Sequence, residues 1–229
     1  MRLTIQMAAA LVLALGALFY LGSVTSGTRS VAFAQVVEKL NDARTLTFRT
    51  RSQVTGQKPV TAKYLFKAPS YLRLESSSGL ISIMDGSPDK ALYLEPATKT
   101  AFHTPGPGNG VDGTFHPGVQ VVDQKPTAKG RIEFSGFNKL KSIAGEKAEP
   151  LGKKNIAGVQ AQGFRVRQRG DTFTVWADPN TSLPLEIEQK FRVGDREITV
   201  TSSDFVFDAR LDDSLFSLEL PPDYRLRED

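Results

Sequence analysis

The chain has 229 residues, a net charge of +4 and a composition typical of a folded protein, so we expect one domain around a single core. Lysine and arginine alternate with aspartate and glutamate instead of forming blocks, which argues against nucleic acid as a partner. The absence of cysteine excludes disulfides, thiolate metal sites and thiol nucleophiles. Packing must therefore stabilise the fold.

The N-terminal segment, residues 1–29, contains an uncharged apolar run from Met7 to Val24. As a helix at about 1.5 Å per residue, this run spans roughly 27 Å, close to the ~30 Å hydrocarbon core of a membrane. The length favours an uncleaved single-pass anchor in the cytoplasmic (inner) membrane; the alternative is a signal peptide cleaved at the A-x-A triplet of residues 32–34. With either alternative, residues 30–229 form one domain outside the cytoplasm, in the periplasm of a bacterial-type cell or at its surface.

The pattern after the linker predicts a mainly β domain of the α+β class. Ser30 is placed to cap a helix whose apolar residues recur at helical spacing, namely Phe33, Val36, Val37 and Leu40. Short alternating segments separated by turn residues then predict strands, each with one apolar face. These segments are 46–51, 62–67, 71–75, 81–83, 91–94, 164–167, 172–177, 185–191, 198–201 and 205–207. About ten strands at nearly constant spacing predict one highly curved antiparallel sheet with helices on its concave side.

Two further elements are predicted between the two groups of strands. Residues 104–129 are rich in proline and glycine and form an insert that is either a lid or a disordered loop. Residues 131–144 then carry apolar side chains at helical spacing, and Gly145 is a natural end for this second helix.

Residue patterns that carry catalysis or metal binding are scarce. The two histidines, His103 and His116, have no carboxylate at ligand spacing, so we expect no metal and no other cofactor. The sequences G-x-S-x-G, H-E-x-x-H and G-x-x-x-x-G-K do not occur. The aspartates at 85, 171, 178 and 195 stand beside glycine or proline, which is typical of turns. We therefore expect that the protein is not an enzyme.

Four stretches resemble the bacterial LolA-like superfamily of outer-membrane lipoprotein carriers and RseB-like periplasmic regulators. Residues 66–75, FKAPSYLRLE, are similar to the family's strand, proline turn and arginine-containing strand. Residues 85–96 are similar to its D-G turn, aromatic strand and proline stop, and residues 175–184, VWADPNTSLP, to its W-x-D-P-x-T-x-x-P hairpin. The ending, residues 215–224, matches the family's usual close. The resemblance covers nearly all of residues 31–224 and implies a half-barrel of about eleven strands with a helical lid over an apolar concavity.

The resemblance also implies a function. It suggests binding of a lipid or of lipoprotein acyl chains, with envelope-stress sensing and sigma factor regulation through a membrane protein partner as the alternative. Two departures from the lipoprotein carriers favour a stationary binder or sensor over a shuttle. The carriers' arginine before the first proline is replaced by Ala68, and the predicted anchor would keep the chain at the membrane.

The candidate ligand-binding residues are the side chains predicted to line an apolar cavity, where no specific polar contact is needed. They are Phe48, Tyr64, Phe66, Leu72, Leu74, Leu92, Leu94, Phe164, Val175, Trp176, Leu185 and Ile187. Trp176, the sole tryptophan, either covers the cavity mouth or fills the core. The alternative to a cavity is a half-barrel filled by its own helices.

Overall fold

The computed structural model describes residues 33–85, 91–104, 146–168 and 170–227. The predicted anchor, nearly all of the predicted insert and the helix predicted over 131–144 lie outside these ranges. Within the described ranges, no helix is both long and apolar enough to span a membrane.

The described part of the chain contains one α-helix, twelve strands and one short 3₁₀ helix. The helix, α1, is Phe33–Asp42. The strands are β1 Thr45–Val54, β2 Val60–Lys67, β3 Tyr71–Ser76, β4 Ile81–Met84, β5 Ala91–Glu95, β6 Thr100–Thr104, β7 Glu149–Ile156, β8 Val159–Gln168, β9 Asp171–Ala177, β10 Pro184–Val193, β11 Arg196–Phe207 and β12 Arg225–Leu226. The 3₁₀ helix, Asp213–Phe216, lies between β11 and β12.

All twelve strands form one open curved sheet in the order β12-β6-β5-β4-β3-β2-β1-β11-β10-β9-β8-β7. Neighbouring strands are antiparallel except for β12, which pairs with β6 in parallel. The prediction of a mainly antiparallel curved sheet is therefore confirmed. The pairing of β1 with β11 joins the first strand to the second-last one near the centre of the sheet.

The strand count predicted from sequence was too low. Strands β6, β7 and β12 were missed, and β7 is an edge strand whose side chains are mostly exposed, so it has no apolar face to reveal it. The segments 198–201 and 205–207 are one strand, β11. A bulge interrupts its alternation at Asp204, whose φ of 55° lies in the left-handed region.

Helix α1 packs on one side of the sheet, which we call the helix face; the other side is the opposite face. Phe33, Val36 and Val37 are buried against side chains of β8, β9 and β10, and the rings of Phe33 and Phe164 lie 6.0 Å apart. Burying each such side chain contributes about 1.5–3 kcal/mol. The helix predicted from the spacing of these apolar residues is therefore confirmed.

The C-terminal segment, residues 213–227, packs on the opposite face. Leu218 and Tyr224 contact a buried apolar cluster of β4, β5 and β6. Polar contacts fix the same segment, because Arg73 donates from Nη1 to the Leu215 carbonyl oxygen at 3.2 Å and Lys67 pairs with Asp213. The C-terminal segment therefore covers the opposite face over β4, β5 and β6, whereas α1 covers the helix face over β8, β9 and β10.

We predict that Leu218→Ala loosens the C-terminal segment without disturbing α1. Leu218 is half-buried in the cluster, so its truncation should lower the free energy of unfolding by about 1 kcal/mol. Hydrogen exchange should become faster in residues 213–227 and stay unchanged in α1. Leu220→Ala is the matched control, since Leu220 is 39% exposed and should change stability by less than about 0.5 kcal/mol. Equal effects of the two variants would contradict this packing.

Candidate functional site

Two rows of mainly apolar side chains cross the helix face of the sheet, because the strand register aligns one residue from each strand. The first row is Phe205, Phe48, Tyr64, Leu74, Ser82, Tyr93 and Phe102. The second row is Phe207, Leu46, Phe66, Leu72, Met84 and Ala91. At about 4.8 Å between neighbouring strands, the first row extends over roughly 29 Å.

Aromatic rings stack along the first row. The rings of Phe48 and Tyr64 are 4.9 Å apart and nearly parallel, and Phe48 also stacks on Phe205 at 5.6 Å. Tyr93 and Phe102 stack at 5.0 Å farther along the row. Such pairs contribute about 0.5–1.5 kcal/mol beyond the area they bury. The row is thus a defined aromatic surface held in register by the sheet.

Burial varies along the two rows. Phe48, Tyr64, Leu72 and Leu74 are at most 5% exposed. Four large side chains that pack against them are only half-buried, namely Phe66, Tyr93, Phe205 and Phe207. A closed apolar centre is therefore bordered by partly exposed rings.

Hydroxyl groups supply the polar character of this surface. Burial raises the pKa of the Tyr64 phenol above its ordinary value, and the nearby Thr50 hydroxyl offsets this only in part, so the phenol stays protonated at neutral pH. Ser52 Oγ is also buried and has no hydrogen-bond partner in the described part of the chain. These groups offer hydrogen bonds within an otherwise apolar surface.

The structure brings most of the predicted ligand-binding residues together on the helix face. Five of them lie in the two rows, namely Phe48, Tyr64, Phe66, Leu72 and Leu74. Phe164, Val175 and Ile187 lie on the same face but pack beneath α1. Leu185 is half-buried at a bulge of β10, between Pro184 and Glu186.

Leu92 and Leu94 were wrongly predicted to face the same side as these residues. In β5 the helix face is formed by Ala91 and Tyr93, and the two leucines pack on the opposite face with Ile83. Adjacent residues of a strand point to opposite sides of the sheet, and β5 has apolar residues on both sides. Its sequence therefore did not reveal which of its residues lie on the helix face.

Trp176 also lies on the opposite face. It therefore neither covers a cavity mouth on the helix face nor fills the core of the helix face. It pairs with Gly163 of β8, and a Cβ atom added at Gly163 would lie 2.5 Å from Cζ3 of the ring. Lys154 Nζ lies 5.4 Å from the ring centroid on the same side. The tryptophan therefore packs across the outside of strands β7 and β8.

Sequence reasoning missed Leu46, Tyr93, Phe205 and Phe207 as members of the rows. The alternation of Phe205 and Phe207 in a predicted strand was a usable signal, but it did not show that β11 pairs with β1. As for metals, the described residues contain no group of three side chains able to hold one, and His116 lies outside them.

Comparisons with known proteins returned structural similarities only, since no protein-family model and no curated protein sequence matches the chain. An uncharacterized conserved protein from Thermus thermophilus is 12% identical with a TM-score of 0.44, over 84% of this chain and 94% of that one. A LolA superfamily protein from Nitrosomonas europaea is 12% identical with a TM-score of 0.35, over 82% and 98% of the two chains. A structure of the Pseudomonas aeruginosa MucA/MucB complex is 15% identical with a TM-score of 0.38, over 79% of this chain and 58% of that one.

One of these similar structures, that from Nitrosomonas europaea, is described as a LolA superfamily protein. At these identities and TM-scores the likeness carries no argument about ligand, partner or activity.

Proposed function

We propose that this protein is not an enzyme but binds an acyl chain of a lipid or lipoprotein against the two aromatic and aliphatic rows of the helix face. The proposal places the domain outside the cytoplasm, held at the inner membrane by residues 7–24. The observation that carries it is the continuous apolar surface from β11 to β5, bordered by half-buried aromatic rings.

The shape of this surface suits an elongated ligand better than a compact one. The first row extends over roughly 29 Å, and six of its seven side chains are aromatic rings or leucine, with Ser82 as the exception. Methylene groups gain about 0.8 kcal/mol each on burial, so contact along a row yields a large total without any specific polar group. Ordering of the ligand on binding reduces that total.

The half-buried rings supply the entry for such a ligand. Phe66, Tyr93, Phe205 and Phe207 already expose part of their apolar surface to solvent, which costs free energy that a bound acyl chain would recover. Phe205 touches the apolar clusters on both halves of the helix face. A ligand contacting Phe205 would therefore reach the closed centre next to Phe48.

Native mass spectrometry of the purified full chain tests the proposal. An added mass equal to that of a lipid or acylated peptide, released by organic extraction, supports it. A chain without added mass that instead retains a membrane protein partner would support the alternative, a regulator acting through that partner. Turnover of an ester or peptide that copurifies with the chain would contradict the proposal that it is not an enzyme.

We predict that Phe205→Asn lowers retention of the ligand by about tenfold or more, since the free energy of burying one phenylalanine corresponds to at least that factor. Val206→Asn is the matched control, because Val206 is the next residue of β11, points to the opposite face and is 52% exposed. Retention is measured as the fraction of liganded chain in native mass spectra, and urea unfolding confirms that both variants are folded. Equal retention by both variants would exclude the row as the binding surface.

A further inference from the structure

The opposite face of the two central strands carries a group of cations without ion pairs. Arg49 and Arg51 of β1 and Lys63 of β2 all point to that face, and Arg49 lies directly opposite Lys63 in the register. All three are exposed, and none has an ion pair or a side-chain hydrogen bond within the described part of the chain. We call these three residues the basic patch.

Three of the four carboxylates beside the basic patch are engaged by other cations. Glu75 lies opposite Lys63 but accepts from Arg73 Nε at 2.8 Å. Across β11, Glu186 pairs with Lys154 at 3.1 Å and Glu188 with Lys190 at 3.2 Å. Asp204 at the bulge makes no ion pair among the described residues. Asp204 can therefore offset at most one of the three positive charges, and the basic patch keeps a net positive charge.

Folding does not account for this arrangement. Like charges directly opposite each other on neighbouring strands destabilise a sheet, and the pair Arg49 and Lys63 is such a case. Edge strands use charge to prevent aggregation, but β1 and β2 are paired on both sides and have no free edge. A binding role explains why the chain keeps cations at these positions.

We infer that the basic patch binds the phosphate groups of anionic phospholipids at a membrane surface. Thr61, Thr201 and Ser203 stand beside the two arginines in the register and point to the same face, so their hydroxyls can donate to phosphate oxygens between the cations. Arginine binds phosphate with two parallel N–H donors. The geometry therefore provides alternating cations and donors on a sheet surface.

An acidic peptide fits this surface less well than a lipid bilayer. A peptide pairs with a sheet through its backbone only at a free edge, and the strands of the basic patch have none, so a peptide on this face would bind through its side chains alone. A bilayer needs only cations that reach a common plane, as side chains from adjacent strands do. The apolar run of residues 7–24 in the same chain is predicted to anchor it at a membrane. An electrostatic contact with anionic lipid would add to the affinity of such an anchor.

Lysine footprinting of the full chain tests the inference. The chain is reconstituted in nanodiscs of phosphatidylcholine alone or of phosphatidylcholine and phosphatidylglycerol in equal parts, and acetylation of each lysine is followed by mass spectrometry. We expect Lys63 to react about fivefold more slowly in the anionic discs, the factor for one cation near an anionic surface. Lys153 is the internal control, because it is exposed on the helix face of β7 and should react equally in both.

A charge-removing variant separates lipid binding from other causes of protection. Arg49→Gln with Arg51→Gln should abolish the difference at Lys63, and high salt should abolish it in the unchanged chain. The urea midpoint of the double variant should stay the same or rise, since a like-charge pair is removed. Its retention of a ligand on the helix face should not change. Equal reactivity of Lys63 in both discs, protection that survives the double substitution, or protection by soluble polyglutamate but not by anionic lipid would overturn the inference.

Discussion

Replacing Phe48 by alanine should lower the free energy of unfolding by about 3–5 kcal/mol, the cost of removing a phenylalanine from a closed core. Phe48 is 2% exposed and its ring stacks on both Tyr64 and Phe205. Loss of the ring removes both stacking contacts and leaves a space at the centre of the first row. Domains are stable by only about 5–15 kcal/mol, so this substitution should remove a large share of the free energy of unfolding.

Urea unfolding followed by far-ultraviolet circular dichroism measures this change. Val206→Ala is the control, because its side chain is largely exposed on the opposite face, and it should alter the free energy of unfolding by less than about 0.5 kcal/mol. A loss below about 1 kcal/mol for Phe48→Ala would mean that the ring is not held between Tyr64 and Phe205. The closed centre of the proposed binding surface would then have to be revised.

Local patterns in the sequence were sufficient to predict α1 and strands such as β1. Phe33, Val36 and Val37 recur at helical spacing and are buried together, and the alternation of Phe48 with Arg49 separates the two faces of β1. These elements have one apolar side and one polar side, so the pattern specifies both the element and its orientation.

The elements that the sequence did not reveal depend on contacts between distant parts of the chain. β5 is apolar on both sides because the C-terminal segment covers one of them, so Leu92 was assigned to the wrong face. β7 is recognisable only from its pairing with β8, and the two-residue β12 only from its pairing with β6. The position of the aromatic rows depends on the pairing of β1 with β11, which no local pattern contains.

The two proposed binding surfaces lie back to back on the same strands. In β1 the side chain of Phe48 belongs to the aromatic row, while those of Arg49 and Arg51 belong to the basic patch. A sheet can carry both because successive side chains point to opposite faces. A domain held against lipid head groups by the basic patch would thus keep its helix face turned away from them and accessible to a ligand.

The contact of Trp176 with Gly163 is the other point at which a single substitution should have a large effect. Gly163 has a backbone conformation that alanine can adopt, since its φ is not in the left-handed region, so only space opposes a side chain there. An added Cβ atom would lie 2.5 Å from Cζ3 and 2.8 Å from Cε3 of the indole ring, closer than such atoms can approach. The ring, or the strand that carries it, has to move.

Gly163→Ala should therefore lower the free energy of unfolding by about 1–3 kcal/mol, the usual cost of overpacking. The same substitution in a Trp176→Ala background should be neutral or stabilise the protein by about 0.4–1 kcal/mol, since alanine restricts the unfolded chain more than glycine does. Urea unfolding of the four proteins gives the coupling energy between the two sites. An equal cost in both backgrounds would show that Gly163 is required for a reason other than the indole ring.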